Sequence, residues 1–250
     1  MSENKMLDLY LKTYEAVKKD AADEPSWLLR LREEAMASFT QKGFPTLKDE
    51  AWRYTDVTAI RETSFDFAEA TPELSQETLQ ALKRRSGRNF LLIVNGKFSQ
   101  EHSSVEPGID VMNLKEAIVS RADLVKSHLG RYAAFGNDAF SALNTGLLKQ
   151  GLFLRIPENL IVKEPIHMVF LAHASGGRSV FPVRNLILLG KKSKVAIAET
   201  YAAGQGTGYF TNLVTEIVLE EGAHLEHCKI QEEDSEAFHI AATHVAQSSA

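Results

Sequence analysis

Five side chains able to hold soft or borderline metals fall close together late in the chain: His224, His227, Cys228, His239 and His244. Imidazole and thiolate suit zinc and iron, and His-x2-His-Cys followed by His-x4-His has the spacing of a ligand set. Strand geometry weighs against one shared ion, because neighbouring residues alternate faces. On a regular strand His224, Glu226 and Cys228 share one side, and Leu225, His227 and Lys229 share the other. Cys228 is flanked by core-type positions, where a lone cysteine serves as a small hydrophobe. Two readings stay open: a metal-binding rung, or structural residues of an interior wall.

Other chemical signals are weaker. Gly204-Gln205-Gly206-Thr207-Gly208 lacks the Lys-Ser/Thr of a phosphate loop and does not join a strand to a helix, so it reads as a linker. Ser175-Gly176-Gly177-Arg178-Ser179 reads as a loop tip. Neither a Gly-x-Ser-x-Gly elbow nor a His-Glu-x-x-His pair is present. Glu220-Glu221 and Glu232-Glu233-Asp234 fall at turns, where solvated charge is the default. No catalytic residue is assigned.

The elements that must position these residues repeat themselves. Asn185 to Leu189, a Gly190-Lys191-Lys192-Ser193 turn and Lys194 to Glu199 read strand, turn, strand. Glu216 to Leu219, Glu220-Glu221-Gly222 and Ala223 to Ile230 repeat the rhythm, aligning Ile187 with Ile217, Leu189 with Leu219 and Val195 with Leu225. Such a repeat suggests stacked units sharing one core, and an antiparallel meander gives the same periodicity. Leu152 to Ile156 and Ile166 to Ala172 are further strands. Asn89 to Phe98 is a buried strand entering an Asn-Gly hairpin.

Helical patterning dominates earlier. Lys5 to Lys19 places Met6, Leu9, Tyr10, Tyr14 and Val17 on one face. Ser26 to Gln41 buries Leu28, Leu31, Ala35 and Phe39, with Gly43 just past its end. Ser75 or Thr71 can cap a short helix through Arg85, and Asn137 can cap one holding Phe140, Leu143 and Leu147. Phe44 to Asp56 carries Trp52 and Tyr54 in a segment without a clean period, expected to pin itself to the domain. The division falls into residues 1–148, mostly helical with a small hairpin, and 149–250, all β. That is the segregated α+β pattern.

The chain has 250 residues, a net charge of −5, 44% hydrophobic and 24% charged residues. This acidic balance argues against a nucleic-acid binder, and no apolar run is long enough to span a membrane. One cysteine excludes an internal disulfide and makes a reducing cytoplasm the natural compartment.

Gly43-Phe44-Pro45, Lys48, Glu50, Trp52, Tyr54 and Thr55 together resemble the G-(F/L)-P-x-x-K-x-E-x-W-(K/R)-Y-T signature of the SufB/SufD family of iron–sulfur cluster assembly proteins. Phe140, Leu143 and Asn144 resemble its F-x-x-L-N segment, and Pro165-Ile166 its P-I strand entry. Gly222 to Gln231 resembles its G-A-x-L-x-H-x-K-x-Q stretch. The resemblance runs from Gly43 onward and leans to the SufD side, because the N-terminal cysteine motif of some SufB members is missing. It implies a helical N-terminal domain followed by a right-handed parallel β-helix. It further implies a non-catalytic scaffold working with SufB-like and SufC-like proteins, on which a transient iron–sulfur cluster is built, with reduced flavin attributed to such complexes. Family members run past Ala250, so the expectation is a fragment or truncated chain without the later coils and the C-terminal helical domain. An open last coil would favour a homodimer through the β-helix. The competing readings are a metal-binding β-helix protein and a β-helix enzyme.

Overall fold

The thirty-residue echo in the sequence is the register of a parallel sheet. Ile187 pairs with Ile217 and Leu189 with Leu219, while Val195 pairs with Leu225. These positions match because each strand lies beside the strand two later in sequence, which excludes the antiparallel meander. The computed structural model describes residues 3–20, 24–67, 72–136, 138–173, 178–204, 206 and 208–248. The Thr71 and Asn137 caps, and Ser175, Gly176, Gly177, Gln205 and Thr207 of the two glycine-rich segments, lie outside the described residues.

The fold is mixed α/β, with seven α-helices and two mixed sheets among the described residues. Helices α1 (Glu3–Asp20) and α2 (Ser26–Lys42) come first, then a 3-10 turn at Glu50–Trp52, α3 (Thr58–Glu62), strand β1 (Asp66–Phe67) and α4 (Gln76–Arg84). Strands β2 (Asn89–Val94), β3 (Lys97–Phe98) and β4 (Asp110–Asn113) precede α5 (Leu114–Ser120), α6 (Ala122–His128) and α7 (Ala139–Gly146). Seven strands follow: β5 (Leu152–Ile156), β6 (Ile166–Ala172), β7 (Ser179–Leu189), β8 (Lys194–Ala203), β9 (Phe210–Leu219), β10 (His224–Glu232) and β11 (Phe238–Gln247).

From β5 onward successive strands alternate between the sheets. One sheet runs β11-β9-β7-β5-β4 with β1 beside β7, and the other runs β10-β8-β6-β2-β3. Pairing is parallel except at β2–β3 and β4–β5. The early segment therefore contributes four strands to these sheets rather than only a separate hairpin. The hairpin itself is as expected: Ile93 pairs with Phe98, and Asn95 and Gly96 take φ of 51° and 83°. Positive φ at both turn residues matches the right-handed strand twist.

Strands β2 and β5 to β9 are buried on both faces over most of their length, so their alternate residues enter different cores. Leu154, Met168, Ile187, Ile197 and Ile217 fill the space between the sheets. The outer face of the β5–β11 sheet is covered by helices: Phe153, Leu186 and Val218 meet Leu28, Ala117 and Val125, and Val180 and Phe210 meet Tyr10, Phe39 and Phe140. Helix α4 covers only the first strands of the other sheet, through Leu79 on Phe90, Leu92 and Val169. No described helix packs over the outer face of β10, which Arg85 touches at one end through a bidentate pair with Glu232 at 2.6 Å.

Helix ends follow the expected chemistry at Gly43, whose φ of 67° closes α2 with a bond from its N–H to the Phe39 carbonyl. Ser75 caps α4 by accepting from the Thr78 N–H, and Asp138 caps α7 by accepting from the Phe140 N–H. Gly151 is required by close approach: a Cβ there would sit 1.7 Å from the Arg184 carbonyl oxygen.

Candidate functional site

The five candidate ligands are distributed over three surfaces. Burial along β10 alternates from His224 to Cys228, and Leu225 packs on the inner core, so His227 faces inward while His224 and Cys228 face outward. On β11, His239 faces inward against Tyr201, with ring centroids 4.6 Å apart. His244 has the opposite parity and pairs in register with Glu216 on the helix-covered face. Among the described residues no three His, Cys, Asp or Glu side chains come together as a metal site.

Two expectations need correction. Cys228 is exposed rather than a buried hydrophobe, because no described helix covers it and its outward neighbours are Glu226 and Ile230. Glu233 is not a solvated turn charge. Its side chain is 9% exposed and its Oε2 lies 2.8 Å from His239 Nδ1.

What the fold assembles instead is a polar cluster at one end of the inner core. Glu199 on β8 is fully buried and accepts from the Tyr201 hydroxyl at 2.5 Å. His227 Nε2 stands 3.0 Å from Glu199 Oε1, an ion-pair distance without the alignment of a straight hydrogen bond. Burial works to raise the Glu199 carboxyl, but His227 and the Tyr201 hydroxyl together hold it below the ordinary value. Burial and the adjacent Glu199 charge push the Tyr201 phenol well up. Lys229 lies over the Tyr201 ring at 5.0 Å from its centroid. Glu233 is also reached by Gln231 Nε2 at 3.3 Å. Leu225 and His227 face inward, and Lys229 and Gln231 continue the same side of β10 at its exposed end, which accounts for the every-second-residue spacing of that stretch. The two carboxylate–imidazole pairs do not form a cage of converging ligands.

A second buried network was not legible in the sequence. Arg184 and Glu216 are both 0% exposed and meet at 2.6 Å. Glu216 also accepts backbone N–H bonds from Gly130, Tyr132 and Ala133 at 2.8, 2.9 and 3.2 Å. Burial works against its charge, but Arg184 and these N–H groups hold the carboxyl below its ordinary value. Arg184 Nη1 reaches Asn144 Oδ1 and Thr145 Oγ1. Asn144 Nδ2 donates to the carbonyls of Val183 and Asn212, both at 2.9 Å. The Phe-x-x-Leu-Asn segment therefore staples α7 across β7 and β9.

The Gly43 to Thr55 segment is half pinned. Phe44 is buried among Tyr10, Phe39 and Phe140, and Trp52 tilts against Phe140 at 5.1 Å. Asp49 organises the turn after Pro45 by accepting from the Thr46 N–H and hydroxyl, while Glu50 opens the 3-10 turn and the Thr55 N–H closes on the Trp52 carbonyl. Lys48 N–H donates to Thr46 Oγ1. Tyr54 departs from the pinned reading: it is 86% exposed and carries Arg53 over its ring.

Residues 1–168 match the family model for the SufBD protein N-terminal region, and residues 170–250 match that for the SUF system FeS cluster assembly SufBD core domain. An iron–sulfur cluster assembly SufBD family protein of Synechocystis sp. is 28% identical over 94% of this chain and 55% of its own length. Protein ABCI7, chloroplastic, of Arabidopsis thaliana is 25% identical over 88% of this chain and 47% of its own. The iron–sulfur cluster assembly protein SufB of Bacillus subtilis is 23% identical over 84% of this chain and 48% of its own. The chain spans about half the length of these curated relatives. With two family models that together span it almost end to end, this chain belongs to the SufB/SufD family of the SUF iron–sulfur cluster assembly system.

Proposed function

We propose that this chain is a non-catalytic scaffold subunit of the SUF machinery, of the SufD type, working in the cytoplasm with SufB-like and SufC-like proteins. The observation that carries the reading is the strand alternation between two sheets. Parallel neighbours such as β7 and β9 are joined through β8 in the opposite sheet, and such crossovers are overwhelmingly right-handed. We therefore read β5 to β11 as coils of a right-handed parallel β-helix, a rigid wall suited to presenting surfaces to partners. The iron–sulfur cluster is cargo of the assembly in this reading, and neither it nor reduced flavin is assigned to residues of this chain. The SufD-type assignment rests on the resemblance of the Gly43 to Thr55 signature and on the lack of an N-terminal cysteine motif in a sequence whose single cysteine is Cys228.

Co-purification with SufB-like and SufC-like proteins tests the proposal. Recovery of a stable complex with the SufB-like partner is expected, and failure to bind either protein would remove the scaffold reading. The metal-binding alternative predicts stoichiometric metal in protein purified without chelator, lost in Cys228→Ala. A second copy can take the SufB-like partner's place, and light scattering at tens of micromolar distinguishes that homodimer from a monomer.

A further inference from the structure

Lys97, Lys115 and Lys149 come from the β2–β3 hairpin, the first turn of α5 and the segment entering β5, and line one cleft of about 430 Å³. Asn113, Glu116 and Gln150 line it with them. The convergence has a structural cause. Asn113 locks the hairpin to the start of α5, accepting from the Phe98 N–H at 3.1 Å and donating to the Phe98 carbonyl at 3.3 Å. The Leu114 N–H in turn donates to the Gly151 carbonyl. Three segments far apart in sequence are thereby tied at one point, and each brings a lysine.

The charges are unevenly matched. Lys149 pairs with Asp20 at 2.9 Å, and Lys115 also acts on that carboxylate without reaching ion-pair distance. Lys97 and Lys115 are exposed and make no ion pair among the described residues. Asp20 lies outside the lining, whose one carboxylate is Glu116. Two unpaired cations beside one carboxylate, in a chain of net charge −5, single this cleft out as a place for an anion that also carries hydrogen-bond donors. Its volume lies in the range of small-molecule sites and well above the size of free phosphate. Lysine ammonium groups are common phosphate ligands.

We propose that this cleft binds a phosphorylated small molecule of nucleotide size, with its phosphate between Lys97 and Lys115 and its hydroxyl or amino groups on Glu116. The inference is independent of the assembly function. Calorimetric titration of the whole chain with AMP, and separately with adenosine, tests it. AMP is expected to bind, to weaken as salt is raised, and to lose at least tenfold in affinity in Lys97→Gln and in Lys115→Gln. Lys163→Gln, an exposed lysine outside the cleft, is expected to bind AMP as the unaltered chain does. Absence of AMP binding, undiminished binding in both cleft variants, or adenosine binding as tightly as AMP would overturn the proposal. Thermal melts of the variants separate lost binding from lost folding.

Discussion

Arg184 on β7 and Glu216 on β9 hold each other at 2.6 Å with no exposed surface on either side chain. The pair also anchors the loop after α6 and the end of α7, so it joins the helical cover to the sheet. Breaking a buried pair by removing one partner leaves an uncompensated charge, at a cost of about 3–5 kcal/mol. Arg184→Met is expected to destabilise the chain by that amount in urea unfolding. An Arg184→Met, Glu216→Leu double variant should recover only part of the loss, because the N–H groups of Gly130, Tyr132 and Ala133 then lose their acceptor.

Acid should loosen the same structure. The folded carboxyls of Glu199 and Glu216 lie below their ordinary value of 4.5. The unfolded chain therefore binds more protons there, and stability rises with pH across that interval. Their contribution is present above pH 4.5 and is lost as pH falls through the lower folded values. Glu199→Gln is expected to flatten the slope of stability against pH below 4.5, measured by urea midpoints at successive pH values. An unchanged slope would remove Glu199 from this account.

Asn144 donates two buried hydrogen bonds that bridge β7 and β9. Asn144→Ala leaves the Val183 and Asn212 carbonyls without that donor and is expected to cost about 1–3 kcal/mol. Faster amide exchange along α7 would show that the staple has been released.

Cys228 is expected to react with a thiol reagent in the native chain as readily as in urea, since it lies exposed on the outer face of β10. Cys228→Ser should change stability by less than about 0.5 kcal/mol, as exposed substitutions do. Strong protection in the native chain would show that a second copy or another surface covers this face.

The exposed and buried halves of the signature segment should separate by mutation. Trp52→Ala removes the contact with Phe140 and is expected to lower stability by about 2 kcal/mol, below the full core cost because Trp52 is only partly buried. Tyr54→Ala, at an 86% exposed position, should leave stability within about 0.5 kcal/mol. Urea unfolding of the two variants side by side checks the contrast.

The sequence by itself determined whatever depends on local pattern. Apolar runs of four to eight residues bounded by turn residues marked the strands, and a shared offset aligned Ile187 with Ile217, the two positions that parallel stacking brings side by side. Asn95-Gly96 specified its hairpin, and the parity of β10 already separated His227 from Cys228. Tertiary structure decided what covers each face. Cys228 is exposed and the Glu233 side chain is largely shielded because α4 stops short of Cys228 while β11 brings His239 alongside Glu233. The partnership of Arg184 with Glu216 likewise depends on two strands aligning and a distant loop closing over them. A charged residue in a strand carries no local mark of its partner, and its burial is set by elements that packing brings from elsewhere in the chain.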